Sequence, residues 1–247
     1  MPLSIGPEFM HKTQYRYLAR SDQSQGVTQP PLQLPFDSSR SLIDLPAPAE
    51  LPTFGFDLRT AIETRRSLRQ YAERPLTLDE LSFLLWCTQG VKETVDTYAT
   101  LRTVPSAGAR HAFETYLLVN NVATLQAGLY RYLALEHKLV VDSLEAKLAD
   151  AAVKACLDQP YVKRSAVTFI WTAVAYRMTW RYGQRGYRYL HLDAGHVCQN
   201  LYLAAQAIGA GVCAIAAFDD EALNELLGLD GVEQFAIYVA TVGKKES

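Results

Sequence analysis

The pattern of apolar and polar positions changes character near residue 57. Before that point no period of 3.6 or of 2 can be read. Pro30-Pro31, Pro35, Pro46, Pro48 and Pro52 stand among Ser and Gln residues, which predicts an extended arm over residues 1–57. Its isolated apolar residues (Leu32, Leu34, Phe36, Leu42, Ile43, Leu45) predict that the arm lies on a surface, a partner subunit's being one candidate. From Leu58 the pattern is regular. Leu58 and Ile62 fit a helix ending near Arg65. Thr77 and Glu80 have capping-box spacing, Leu81, Leu84 and Leu85 share one face, and Gly90 closes that helix. A polar connection reaches to about Leu101, and small residues mark Arg102 to His111 as a loop.

Strands are expected at Phe113 to Asn120, Leu129 to Leu133 and His137 to Val141, followed by an amphipathic helix at Leu144 to Leu157. Ala166 to Ala175 is continuously apolar and β-branched, as in a strand covered on both faces. Tyr187 to Ile208 reads as a long helix, apolar nearly all round, for a core or a subunit interface. Val212 to Phe218 is a short strand, Asp219 caps a last helix that Gly228 stops, and Phe235 to Val242 is a final strand. The sum is an α+β fold: a mostly antiparallel sheet of about five strands surrounded by helices, in one domain over residues 58–247.

Composition removes several classes of function. The chain has 247 residues, 49% hydrophobic and 20% charged, with a net charge of -2. That balance offers no basic field for nucleic acid, and no apolar run is long enough to span a bilayer. Four scattered cysteines without a Cys-x-x-Cys pair fit a reducing compartment, and the cytoplasm is the expected location. His191 and His196 lie five apart on a helix, about 140° around it, so no metal pair is expected. There is no Gly-x-Ser-x-Gly elbow and no P-loop, and Gly209-Ala210-Gly211 follows a helix rather than opening one.

The remaining chemistry lies in Arg65-Arg66-Ser67-Leu68-Arg69. Three guanidinium groups and a hydroxyl in five residues either form a solvated helix end or hold a phosphate and the polar edge of a planar ring. Arginine suits the second role because it donates in a rigid fork and keeps its charge. No residue stands out as a catalytic acid, base or nucleophile, so a cofactor is expected to carry the difficult step.

Arg65-Arg66-Ser67-Leu68-Arg69-Gln70-Tyr71 resembles the Arg-Arg-Ser-x-Arg-x-Tyr opening of the nitroreductase-like flavin oxidoreductases. Leu76 to Gly90, Pro105-Ser106-Ala107-Gly108, Gly195-His196 with Gln199-Asn200, and Ala214 to Asp220 follow in the order of one subgroup, the SagB-type dehydrogenases. The resemblance covers about residues 57 to 245. It implies FMN held between the subunits of a domain-entwined homodimer. Arg65 and Ser67 would lie near the phosphate and ring carbonyl side, Arg69 near the pyrimidine edge, and Arg66 beside them. Pro105, Ser106, Ala107 and Gly108 would come from the other subunit. Ala214, Ile215, Ala216 and Ala217 would face flavin N5 through their backbone, and Lys244 or Lys245 would reach the phosphate.

The azoline oxidases of that subgroup use a Lys-Tyr pair where this chain has Arg181-Tyr182, with Arg188-Tyr189 seven residues on. Arginine cannot act as a base, which leaves Tyr182 and Tyr189 as the candidates for handling substrate. The expected function is an FMN-dependent oxidoreductase working by two half-reactions on a small molecule or a modified peptide, with NAD(P)H a possible donor. The alternatives are an azoline dehydrogenase in peptide modification and a flavin-binding protein without turnover.

Overall fold

A computed structural model describes residues 4–246. Along them the chain forms α1 (Ile5–Lys12), β1 (Leu42–Asp44), α2 (Leu58–Thr64), α3 (Leu78–Gln89), β2 (Val91–Val95) and β3 (Ala99–Arg102). Next come β4 (Phe113–Val119), β5 (Gly128–Leu133), β6 (Lys138–Ser143), α4 (Leu148–Ala155), α5 (Tyr161–Arg164) and β7 (Val167–Val174). The last third holds α6 (Ala175–Tyr182), α7 (Gly186–Ala207), β8 (Ala210–Ile215), α8 (Asp220–Leu226) and β9 (Gln234–Lys244). Seven strands make the main sheet in the order β1-β6-β5-β4-β7-β9-β8, and β2 and β3 pair apart from it. Every neighbouring pair in the main sheet is antiparallel.

All eight residues of β7 are buried, because the sheet is covered on both sides. Its alternate residues Phe169, Trp171 and Ala173 enter the core shared with α3 and α7. Ile170 points into the second core, under α4 and α8. The capping box of α3 forms in both directions, Glu80 N–H to Thr77 Oγ1 at 3.1 Å and Thr77 N–H to Glu80 Oε2 at 2.9 Å. Asp219 caps α8 by accepting from Ala222 N–H at 3.0 Å.

The main sheet is larger than the expected five strands. β1 belongs to the arm and pairs with β6 over only three residues, too short to carry a hydrophobic pattern. β2 and β3 occupy the stretch expected to be a polar connection. The residues of β2 beyond Val91 are exposed, so no alternation marks it. The helix expected at 144–157 is confined to α4. An unexpected helix, α6, starts directly from β7 and buries Arg177 together with Met178 and Trp180. Nor is α7 apolar all round: Leu190, Val197 and Leu201 are buried, while His191, Leu192, Gly195, His196 and Gln199 are exposed.

The arm lies on the chain's own sheet and on α6, held mostly through its backbone. Trp180 Nε1–H donates to Val27 O at 2.8 Å, Arg177 Nε–H to Pro31 O at 2.7 Å and Arg131 Nη2–H to Pro35 O at 2.8 Å. Leu34 N–H donates to Glu114 Oε1 at 2.8 Å, and Arg177 Nη2 is 2.6 Å from the same oxygen. Glu114, Arg131 and Arg177 are all buried, one carboxylate between two guanidiniums, and both arginines also donate to carbonyl oxygens of the arm.

A second buried pair ties the end of β9 to α3. Lys244 Nζ donates to the Glu80 carboxylate and, at 2.5 Å, to Ile208 O, with the two side chains only 5% and 14% exposed. Removing one partner of such a pair strands a buried charge. Glu80→Ala should therefore cost about 3 kcal/mol in urea unfolding, well above the roughly 1 kcal/mol of a lost helix cap.

Candidate functional site

Asp57 ends the arm as the N-cap of α2, its carboxylate taking Thr60 N–H at 2.8 Å. After Thr64 the backbone turns extended at Arg65 (φ -58°, ψ 128°) and runs beside β8. Ser67 bridges Val212, Leu68 N–H donates to Val212 O at 2.8 Å, and Ala72 N–H donates to Lys244 O at 3.0 Å. Two glycines make this approach possible. A Cβ on Gly211 would lie 2.4 Å from the Leu68 side chain, and one on Gly243 would lie 2.6 Å from the Tyr71 ring.

Once docked, the segment presents its cations around two tyrosines. Arg65 stacks over the Tyr202 ring at 5.0 Å, and Arg69 lies over Tyr161 at 6.0 Å. Ser67 Oγ is 3.0 Å from Tyr202 Oη, which also accepts Ala214 N–H at 3.0 Å. The neighbouring Cys213 and the phenol of Tyr161 push the Arg69 guanidinium up, so it stays charged. Among the described residues, none of Arg65, Arg66 and Arg69 forms a salt bridge. Three neighbouring cations without a salt-bridge partner make this a positively charged segment.

Arg66 lines a cavity of about 460 Å³ with Thr64, Leu68, Gln70, Gln206, Lys245 and one carboxylate, that of Glu246. Lys245 donates to Gln206 Oε1 at 2.6 Å, and burial together with the charge of Arg66 pulls its ammonium down. Lys244 is turned away into its pair with Glu80, so of the two terminal lysines it is Lys245 that lies with the arginine segment.

Of the 214–217 stretch, Ala214 and Ile215 pair with β9, and Ile215 is buried. Ala216 and Ala217 lie exposed beyond the end of β8, where Ala217 O accepts from Gln159 Nε2 at 2.9 Å. Residues 65–69 and 214–217 thus form one surface. Residues 105–108 lie elsewhere. Ala107 N–H points at the buried Asp193 carboxylate, 3.2 and 3.3 Å from its two oxygens, and Ser106 Oγ accepts His111 N–H at 2.9 Å. Gly108 has φ +58°, and a Cβ there would meet Tyr182 Oη at 2.4 Å. Tyr182 in turn meets Tyr189 edge-on at 4.8 Å. Asp193 and Tyr202 are nine residues apart on α7, about 14 Å along its axis. One chain therefore brings the arginines to the end of β8 and the 105–108 loop to Tyr182, at two different ends of α7.

Tyr202, Tyr161 and Asp193 are site residues that no motif announced. Tyr202 and Asp193 are buried polar positions within a mostly apolar helix, and Tyr161 opens a four-residue helix; none stands at a spacing that marks it. No helix is long and apolar enough to cross a membrane, and no group of metal-ligating side chains occurs among the described residues.

A sequence profile of the Nitroreductase family matches residues 62–244, and the chain belongs to that family. It is 35% identical over 188 residues to a nitroreductase-like protein, MJ1384, of Methanocaldococcus jannaschii, covering 76% of this chain and 91% of that protein. It is 29% identical over 222 residues to the trifolitoxin-processing protein TfxB of Rhizobium leguminosarum bv. trifolii, covering 85% of this chain and 58% of that one. The crystal structure of a nitroreductase-like protein from Anabaena variabilis superposes with a TM-score of 0.70 at 30% identity, over 85% of this chain and 42% of that chain. The chain thus spans little more than half of TfxB and less than half of the Anabaena protein. The family is one of oxidoreductases, and its fold is the antiparallel sheet with surrounding helices described above.

The loop carrying residues 105–108 ends at a buried titratable group. His111 is pushed down to about 3 by burial and by the charges of Arg102 and Arg110, so it stays neutral in the fold. The unfolded chain takes that proton below about 6.5. Stability should therefore fall as pH drops from about 6.5 towards 3, by about 2 kcal/mol at pH 5. Chemical unfolding across that range should show the slope, and His111→Gln should flatten it.

Proposed function

We propose that this chain is an FMN-dependent oxidoreductase that passes hydride through the flavin in two half-reactions. The observation that carries the reading is the pair Arg65 and Arg69, stacked on tyrosines without salt-bridge partners beside the small-residue end of β8. The donor set fits the cofactor. Arg65 and Ser67, with Arg66 and Lys245 close by, offer cationic and hydroxyl donors for a phosphate. Arg69 would set a permanent charge at the pyrimidine edge, where reduced flavin becomes negative. The exposed backbone of Ala216 and Ala217 would let a flat ring approach without side-chain interference. When bound, the flavin supplies a two-electron acceptor and donor at N5; the chain's own residues hold, orient and polarise it.

The placement of residues 105–108 supports a homodimer. They lie away from the arginines of their own chain, so a second copy would have to bring them to the same cofactor. In that arrangement Tyr182, packed on Gly108, would lie at the substrate side of the partner's flavin. Residues 58–247 form the flavin domain in this reading, residues 1–57 the arm, and the cytoplasm its compartment.

A second reading, an azoline dehydrogenase of the SagB type acting on modified peptides, is favoured by one observation. The match to the trifolitoxin-processing protein covers 85% of the chain and so reaches into the arm. The nitroreductase reading has NAD(P)H as the donor and a nitroarene or quinone as the acceptor.

Purified protein should be yellow and should release FMN on denaturation; a colourless sample that FMN does not reconstitute would overturn the proposal. Arg65→Ala should weaken FMN binding about 10- to 100-fold, measured by fluorescence titration, because a charge-assisted hydrogen bond contributes about 1.5–3 kcal/mol. Anaerobic stopped-flow mixing should bleach the flavin with NADH or NADPH if the chain is a reductase. Failure of both would leave the peptide-dehydrogenase reading.

A further inference from the structure

The N-terminal part of the arm docks on one corner of the molecule, the junction of α6 and α7, and does so with charged and aromatic side chains. Arg188 lies over the Phe9 ring at 5.8 Å, donates to Met10 O and reaches Thr13 Oγ1 at 2.6 Å. Arg185 Nη1–H donates to Thr13 O at 2.9 Å, and its guanidinium stacks over the Tyr15 ring at 4.2 Å. Further along, Tyr176 Oη–H donates to Asp22 at 2.8 Å.

These contacts converge on Tyr189. Arg185 Nε–H donates to Tyr189 Oη at 2.7 Å, and Tyr15 Oη lies 2.9 Å from the same oxygen. Tyr189 meets Tyr182 edge-on, and Tyr182 Oη lies where a side chain on Gly108 would begin. A continuous line of contacts therefore runs from the arm through Tyr15, Tyr189 and Tyr182 to the 105–108 loop. Tyr15 is 68% exposed, so the phenol pair remains open to a small molecule.

The groups around Tyr189 favour its role as an acceptor. Tyr15 faces it from the arm, Tyr182 from α6, Arg185 from the turn before α7 and Arg188 from α7 itself. Burial would push its phenol up, but the hydrogen bonds to Tyr15 and Arg185 and the charges of Arg185 and Arg188 outweigh burial and leave it lowered. Tyr15 moves the opposite way, raised chiefly by its hydrogen bond to Tyr189, as expected when one phenol of a pair donates and the other accepts. No carboxylate is among these groups.

We propose that Tyr15 is a positioning residue: carried in by the arm, it joins Arg185 in holding Tyr189 as a proton acceptor beside Tyr182 and the 105–108 loop. The substrate side is then complete only while the arm is docked. Substrates that shed a proton along with a hydride, such as an N–H or O–H heterocycle, are the class that would use such an acceptor, the proton passing to Tyr189 in its phenolate form. This inference rests on the reading that residues 105–108 line the cofactor pocket.

The test uses the full chain as purified, labelled with carbon-13 at tyrosine Cζ and titrated by NMR. Wild-type Tyr189, assigned by its loss in Tyr189→Phe, should ionise below the ordinary tyrosine value of about 10. Tyr15→Phe keeps the ring and removes the hydroxyl, and should move the Tyr189 titration up by about one unit. Arg185→Gln should move it in the same direction. In the flavin-loaded protein, Tyr15→Phe should leave flavin content unchanged and shift the alkaline-going limb of the kcat–pH profile to higher pH by a similar amount. An unmoved Tyr189 titration in both variants would overturn the proposal, as would a moved titration with an unmoved kcat–pH profile. Absence of bound flavin would defeat the reading of the site instead, while the NMR titration would still report on the tyrosine pair.

Discussion

Leu68 N–H donates to Val212 O and Ala72 N–H donates to Lys244 O, and these two backbone bonds fix where every cation of the first motif can point. They dock an extended segment onto the ends of β8 and β9. Gly211 and Gly243 leave the space that Leu68 and Tyr71 fill. The geometry puts Arg65 and Ser67 on Tyr202 and Arg69 on Tyr161. Without it, three arginines in five residues would be a solvated helix end, each pointing into water and neutralised by salt. With it, they form a positively charged face on which, among the described residues, none of the three has a salt-bridge partner.

The same economy of charge explains the contrast between the two lysines after Gly243. Lys244 is buried, and a buried ammonium needs a partner; Glu80 supplies one while also capping α3. Lys245 is only partly buried, holds an amide oxygen, and lies near Arg66 with its charge already disfavoured. One lysine is tied into the fold by a carboxylate and the other has only an amide oxygen as partner. A comparable division runs through the arm. Glu114, Arg131 and Arg177 take its backbone out of solvent at residues 31–35, whereas residues 9–22 are held by exposed and half-buried groups at the start of α7. The inner part of the arm is structural, and the outer part is the more easily released.

Helix α7 separates the two halves of the proposed cofactor site. Asp193 fixes the backbone of Ala107 near one end and Tyr202 organises Ser67 and Ala214 near the other. The exposed positions Gly195, His196 and Gln199 lie between them. A helix so arranged suits a molecule in which a second copy closes the gap, and this ties the polar chemistry of the site to the proposed association of chains.

Much of this was legible in the residues themselves. The capping box at Thr77 and Glu80, the doubly covered strand β7 and the N-cap at Asp219 depend on neighbours within a few positions, and local hydrogen bonding and periodicity specify them. The ordered motifs around Arg65, Pro105 and Ala214 pointed to the family because each has a fixed residue pattern. β1, β2 and β3 were hidden because strand pairing there is carried by backbone groups, which every residue shares. Tyr202, Asp193 and Tyr15 were hidden for a related reason: a polar side chain acquires its role from a partner tens of residues away. The sequence by itself determined the α+β class, most of the helices and strands, and which residues carry positive charge. Only the tertiary structure decided which charges are spent on the fold and which face outward, because that depends on long-range burial that no local pattern encodes.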